Sequence, residues 1–260
     1  MRYVAVAIAV TTLVAFALPI GGILLGARAS DLVAAVHDGE VWAALGVSLG
    51  CALSSTLLTV LTAVPLGLAI ARGWLPVPLL WSAMVELLVV VPHPLVGLGL
   101  LLIFARNRLL GAALSGHLGI EVASAVPGIV FAMYLVSAPA VIKSSRDSFR
   151  RTPTLLTRVA QSLGATPWRV FWTVELRLAW LSIRSATVVA WARALSEFGA
   201  IAILAYYPRT TAVLIWDRYQ TYGIQAAVAP ALVLLAVAVL TLALLHWLET
   251  KEATYEELQR

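Results

Sequence analysis

The feature that most constrains this chain is a set of long apolar runs nearly free of charge: residues 4–27 and 41–71 contain no Asp, Glu, Lys or Arg. A helix of about 20 such residues crosses the hydrocarbon core of a bilayer, where only internally hydrogen-bonded backbone is tolerated. Six stretches qualify: 4–27, 41–71, 79–105, 122–142, 185–205 and 225–248. The second is longer than a straight crossing needs, which predicts a tilt or a bend near Pro65. The third is interrupted by Glu86 and by Pro92-His93-Pro94, and the fifth contains Arg193 and Glu197. The expected fold is all-α, a polytopic membrane protein with six transmembrane helices and both termini on one side. With 61% hydrophobic and 12% charged residues, too few charges remain to cover a water-facing surface. That excludes an ordinary soluble domain, a disordered chain and a coiled coil. A single cysteine, Cys51, excludes a disulfide scaffold and a thiolate metal cluster within the chain.

Arg2 ahead of the first run and Ala27-Arg28-Ala29 after it imitate a secretory signal. The run exceeds the roughly 7–15 residues of a signal's apolar core, so it reads as a retained helix.

The 18 Lys and Arg residues set the orientation. With the N-terminus inside, Arg2, Arg72, Lys251, Arg260 and eight residues between positions 143 and 184 fall inside; Arg28, Arg106, Arg108, Arg209 and Arg218 fall outside. Arg193 lies within a span. Twelve against five predicts cytoplasmic termini. A net charge of +5 would suggest nucleic acid in a soluble protein; here topology absorbs it, and no nucleic-acid partner is expected. The basic excess sits mostly in the loop between the fourth and fifth spans, where it suits either anionic lipid or a cytoplasmic partner.

That loop is patterned. In Thr154-Leu155-Leu156-Thr157-Arg158-Val159-Ala160-Gln161-Ser162-Leu163, the residues Leu155, Leu156, Val159 and Leu163 fall near one helical face, with Arg158 and Gln161 off it. Gly164 can end this helix with a positive φ, and Pro167 can open the next at its first turn. The spacing predicts a cytoplasmic helix, turn and helix.

The same residues resemble a known family. Val159-Ala160-Gln161-Ser162-Leu163-Gly164-Ala165, with Val174-Glu175-Leu176 nine residues beyond Gly164, resembles the Glu-Ala-Ala loop of type I ABC importer permeases. In that pattern Glu-Ala-Ala is followed by three residues, Gly, nine residues and Ile-x-Leu-Pro. Anchored on Gly164, its Glu falls at Arg158, its Ala pair at Val159 and Ala160, its Ile at Val174, its Leu at Leu176 and its Pro at Arg177. The Gly and the spacing match; the Glu and the Pro do not. Further on, Arg193-Ala194-Leu195-Ser196-Glu197-Phe198-Gly199-Ala200 and Leu204-Ala205-Tyr206-Tyr207-Pro208 resemble the fifth helix and outer loop of molybdate and tungstate permeases. Thr211-Ala212-Val213-Leu214-Ile215-Trp216-Asp217-Arg218-Tyr219 continues that similarity, which covers about residues 44–248.

The resemblance implies the pore subunit of an ATP-driven, binding-protein-dependent importer in the cell membrane of a prokaryote. Tungstate or molybdate is the expected substrate, with sulfate and other type I substrates as alternatives. The implied partners are a second copy of the chain, two cytoplasmic ABC ATPase subunits and an extracytoplasmic oxyanion-binding protein. The implied division is a first helix and outer loop over 1–43, a permease domain over 44–248 with its coupling loop at 143–179, and a cytoplasmic tail over 249–260. Arg158, Val159, Ala160, Gln161, Leu163, Gly164 and Ala165 become the ATPase-coupling candidates. A short helix seated in the ATPase would move the spans as the motor closes around ATP. An amphipathic helix held between two spans also transmits rigid-body motion where a flexible loop would not. Arg158 replaces the family's acidic residue, so the ATPase is expected to face it with a carboxylate or a carbonyl. The chain has no G-x-x-x-x-G-K-[ST] stretch, and its only lysines are Lys143 and Lys251. No catalytic residue, metal site or cofactor of its own is expected, with ATP and Mg on the partner ATPase.

A charge at mid-bilayer costs about 2.5–3.5 kcal/mol on the insertion scale, so ionisable groups there pair or line a cavity. The pore or gate candidates are Pro92, His93, Pro94, Arg193, Ser196, Glu197 and Gly199. Arg193 and Glu197, four apart on one helix, are expected to neutralise each other. The alternative puts Glu197 near an outer gate, with Ser196 and Gly199 allowing close helix approach around a two-fold axis. Pro92 and Pro94 predict a bend near the centre of the third span, with His93 bonded to a freed carbonyl or offered to an anion. Glu86 suits snorkelling or an Arg partner. Arg209, Arg218, Tyr206, Tyr207, Trp216 and Tyr222 read as an outer loop forming an interfacial belt, with Arg209 and Arg218 also suited to an acidic binding protein. Glu249, Glu252, Glu256 and Glu257, against Lys251 and Arg260, read as a solvated helix end. Two rival classes are weaker. Ala113-Leu114-Ser115-Gly116-His117 only superficially offers an intramembrane protease, in a loop and without a Gly-x-Ser-Gly frame. A secondary transporter would show duplicated halves, and none is visible.

Overall fold

A computed structural model describes the backbone of residues 1–258 and the side chains of residues 1–243. The described residues form helices and no strand. In chain order these are α1 (Arg2–Gly26), α2 (Ala29–His37), α3 (Gly39–Arg72), α4 (Pro78–Val90), α5 (His93–Phe104), α6 (Leu109–Leu118) and α7 (Val126–Arg151). They continue with α8 (Thr154–Ser162), α9 (Pro167–Val170), a π turn over Phe171–Glu175, α10 (Leu176–Leu195), α11 (Gly199–Leu204), α12 (Thr211–Tyr222) and α13 (Ile224–Leu258).

Four of these, α1, α3, α7 and α13, are long and apolar enough to cross a membrane, and a fifth crossing is made if α4 and α5 count as one broken span. The expected six is therefore not reached on length and composition. The twenty-residue α10 falls outside the set and carries Arg177, Arg184 and Arg193. The uncharged second run forms one helix through Pro65. The third is a pair of helices inclined at 113° rather than a bent one. The fifth stops at Leu195 and resumes at Gly199. Three short helices, α2, α6 and α12, occupy segments that hydropathy alone leaves as loops.

The chain divides into two compact units, residues 1–47 with 209–260, and residues 48–208. In the first, Val41, Ala44 and Leu214 form a buried cluster backed by Val233. Helix α1 has no buried residue, as suits a span surrounded by lipid. The side chains of the acidic tail lie outside the described residues.

In the second unit, α7 packs on α10 and α4, around Leu68, Val85, Val141, Ile142, Phe149 and Ile183. Gly67 lets α3 approach α7 closely: a Cβ there would stand 2.9 Å from the Arg146 backbone nitrogen. Hydroxyls add directional contacts in this apolar setting, Thr62 Oγ1 donating to Tyr134 Oη at 3.1 Å and Ser144 Oγ to the Ser182 carbonyl at 3.0 Å.

Candidate functional site

The patterned loop folds as its sequence predicts. Helix α8 ends in a Schellman closure, in which the Gly164 N–H donates to the Gln161 carbonyl at 2.9 Å and the Ala165 N–H to the Ala160 carbonyl at 3.0 Å. Gly164 takes φ +85°, a conformation that disfavours any residue with a Cβ. Thr166 then caps α9 through its hydroxyl, which accepts from the Arg169 N–H, and Pro167 holds the first helical position. Helix α8 rests on α9 and the π turn and buries none of its residues. Leu155 is 68% exposed, Leu163 83%, and Leu156 and Val159 are exposed as well. Arg158 and Gln161 also lie open, and Arg158 makes no ion pair among the described residues. Exposed Trp168 and Trp172 extend the apolar surface, their rings 5.5 Å apart.

A second constellation forms where two spans break. Helix α4 ends at Val90, Pro92 becomes the N-cap of α5, and His93 and Pro94 form its first turn. The prolines therefore separate two helices rather than bend one. Helix α10 ends at Leu195 with Ser196 as its C-cap, and α11 begins at Gly199. Glu197, 2% exposed, spans this gap. Its Oε1 accepts from the Ala200 N–H at 2.7 Å, and its Oε2 lies 2.7 Å from His93 Nδ1. Close packing of α5 on α11 needs the absence of two side chains. A Cβ on Gly97 would come within 2.8 Å of Ala200 Cα, and one on Gly199 within 3.1 Å of Pro94 Cδ.

Two expectations are corrected here. Arg193 and Glu197 do not pair, because the helix ends between them and their i, i+4 register is lost; His93 takes the carboxylate. His93 is half-exposed and bound to that carboxylate, not buried against a freed carbonyl. Gly199 stands close to Pro94 and His93 of α5 in the same chain. Arg193 is half-buried, with no carboxylate paired to it among the described residues, while the Ser196 hydroxyl donates to its carbonyl at 3.2 Å. Glu86 lies exposed on α4 without an Arg partner among the described residues.

The expected outer loop is instead largely helix α12, with Thr210 as N-cap, its hydroxyl accepting from the Val213 N–H. Arg218 pairs with Asp38 and Glu40 at 2.7 Å, and Arg209 with Glu40 and with Asp217, the latter at 3.1 Å. Both arginines are thus engaged within the chain. Burial would raise the Asp38 carboxyl, but the Arg218 guanidinium and the Val41 and Glu40 amides outweigh it and hold it below its usual range. Desolvation opposes the charge on Arg218, and the two carboxylates more than offset this, raising it. The Ser115 and His117 of the protease alternative sit on α6, where the Ser115 hydroxyl donates to the Ala112 carbonyl.

Among the pairs that sequence reading missed are His93 with Glu197 and Arg72 with Glu175. Neither has a local signal, since the second joins residues 103 positions apart.

Residues 63–253 match the family of binding-protein-dependent transport system inner membrane components. The chain is 38% identical over 242 residues to the molybdate/tungstate transport system permease protein WtpB of Thermococcus kodakarensis, covering 92% of each. It is 33% identical to the molybdenum transport system permease protein ModB of Escherichia coli strain K12, covering 75% of this chain and 90% of that one. Among solved structures, a bacterial alginate ABC transporter in complex with its alginate-bound periplasmic protein superposes with a TM-score of 0.75 at 16% identity, over 93% of this chain and 92% of that one.

Proposed function

The chain belongs to the family of binding-protein-dependent transport system inner membrane components, and from that premise we propose that it is the pore subunit of an ATP-driven importer of tungstate or molybdate. The observation that carries the reading is α8, a capped amphipathic helix whose apolar side chains have no cover among the described residues. Such a surface marks a site of contact with a protein or a membrane, and its place on a patterned, capped helix favours a protein. A cytoplasmic ABC ATPase is that partner, and Arg158, Val159, Ala160, Gln161, Leu163, Gly164 and Ala165 form the contact. The ATPase supplies ATP and Mg; this chain supplies the path.

Two copies of the chain enclose the path, each served by one ATPase, with an oxyanion-binding protein delivering substrate outside. Six crossings follow if α10 spans beside α1, α3, the α4–α5 pair, α7 and α13; at about 1.5 Å per residue its twenty residues reach roughly 30 Å. The sorting of Lys and Arg supports cytoplasmic termini. The broken helices at His93 and Glu197 border the path, since interrupted backbone at membrane depth is tolerated where it lines a cavity. Similarity to permeases named for molybdate and tungstate supports the substrate. The test is uptake into vesicles holding the complete complex. ATP-dependent entry of tungstate, lost when the ATPase is omitted, is expected; faster entry of sulfate overturns the substrate, and uptake driven by an ion gradient without ATP overturns the mechanism.

A further inference from the structure

We propose that the Arg72–Glu175 ion pair is the joint through which a push on α8 reaches the long helix α3. The proposal rests on the reading that α8 seats in an ATPase. Helix α8 packs on two short elements, α9 and the π turn. Glu175 is the last residue of the π turn, and Arg72 the last residue of α3. Their side chains are 12% and 23% exposed, so the pair is shielded from screening by salt more than a surface pair is.

Aromatic contacts also hold the turn. Phe171 lies 6.0 Å from Trp168 and 6.2 Å from Phe149, which is fully buried at the end of α7. Ring contacts of this kind resist compression but tolerate sliding, whereas a guanidinium–carboxylate bond is directional. Arg72–Glu175 therefore fixes how the turn sits against α3, while the rings let it rotate over α7. The turn itself is a natural place for adjustment. The Leu176 N–H donates to the Phe171 carbonyl across five residues, and single π turns inside α-helices recur at functional sites. Movement of α8 thus reaches α3 through a directional bond beside the apolar packing of Phe171 and Leu176, with Arg72 and Glu175 as positioning residues.

The experiment uses the full complex in vesicles and reads ATP hydrolysis and tungstate uptake together. Arg72→Glu and Glu175→Arg, made singly, are expected to lower uptake per ATP roughly tenfold, a typical size for lost coupling between sites. The ATPase should remain assembled. The double reversal, Arg72→Glu with Glu175→Arg, should restore the ratio. Where single reversals fail to insert, Arg72→Met with Glu175→Met removes the bond without leaving an unpaired charge, and the same fall is expected. Hydrolysis and uptake falling in proportion, or a double reversal no better coupled than the single ones, overturns the joint. Absence of ATP-dependent uptake with the wild-type complex overturns the transport reading and the joint with it.

Discussion

Helix α8 and the crossing of α5 with α11 treat apolar surface in opposite ways. The first exposes Leu155, Leu156, Val159 and Leu163 and buries nothing. The second buries Gly97, Leu100, Ala200, Ile201 and Leu204, and satisfies its single buried carboxylate with His93 and the Ala200 amide. One region leaves its apolar side chains uncovered among the described residues; the other packs its own against a neighbouring helix. Motion supplied from outside can enter at the first, and the second can respond only as a packed body, because its glycines leave no room for independent adjustment. Substitutions should therefore separate cleanly, those in α8 changing assembly and those in the crossing changing the fold.

The largest effect is expected at Gly97. Gly97→Val places a branched side chain where even a Cβ would meet Ala200 Cα at 2.8 Å, and overpacking of this kind costs about 1–3 kcal/mol or more. Thermal unfolding of the purified chain in detergent should show a marked loss of stability, with little protein recovered from the membrane. Recovery and melting equal to wild type would mean that α5 and α11 are not in contact.

Next comes Leu155→Ser with Val159→Ser. Both side chains are exposed, so melting of the isolated chain should stay within about 0.5 kcal/mol of wild type. Capture of the ATPase should weaken roughly a hundredfold if the two residues are anchors costing above 1 kcal/mol each. Loss of stability without loss of ATPase binding would reverse the contrast between the regions.

The two regions also differ in how much of them the sequence reveals. Helix α8 follows from residues close in the chain: a 3.6-residue apolar rhythm, Gly164 after it, and Thr166-Pro167 opening the next helix. The break between α4 and α5 is equally local, because Pro92 and Pro94 lack the N–H a helix interior needs. The stop of α10 at Leu195 has no comparable signal. Ser196-Glu197-Phe198 contains no proline or glycine, so an uninterrupted helix is the natural expectation and Arg193–Glu197 the natural pair. What ends the helix is tertiary: Glu197 finds His93, which lies on another helix of the same unit. Helix α12 was readable in hindsight from Thr210 at its start and Gly223, φ +84°, at its end. Family resemblance reaches both regions but carries no pairing, so register alone points Glu197 to Arg193 rather than to His93.

Glu197→Gln and Arg193→Gln sharpen that correction. The amide can still accept from the Ala200 N–H but no longer offers a carboxylate to His93, so a cost of about 1.5–3 kcal/mol in stability is expected for Glu197→Gln, the range for hydrogen bonds to charged groups. Arg193, lacking a carboxylate partner among the described residues, should cost less than half as much when replaced. Equal losses in the two variants would restore the Arg193–Glu197 pair and remove His93 from the account.

The smallest effect is expected at Arg158, where the chain departs from the pattern it resembles. Its side chain is exposed, and Ser162 Oγ bonds to its backbone carbonyl rather than to the guanidinium. Arg158→Glu should therefore leave α8 and its Schellman closure intact, and melting unchanged. Any consequence must come from the partner. If the ATPase faces this position with a carboxylate, reversal places like charges together; exposed pairs are worth about 0.2–1 kcal/mol, so ATP-driven uptake at limiting ATPase should fall no more than about fivefold. The fall should shrink at high salt, because screening acts on an exposed contact and not on the buried apolar anchors beside it. Unchanged uptake at low salt would place Arg158 outside the contact and leave Leu155 and Val159 to carry it alone. An effect that persisted in salt would mean that docking buries the guanidinium, making α8 as dry in the assembled complex as the crossing already is in the single chain.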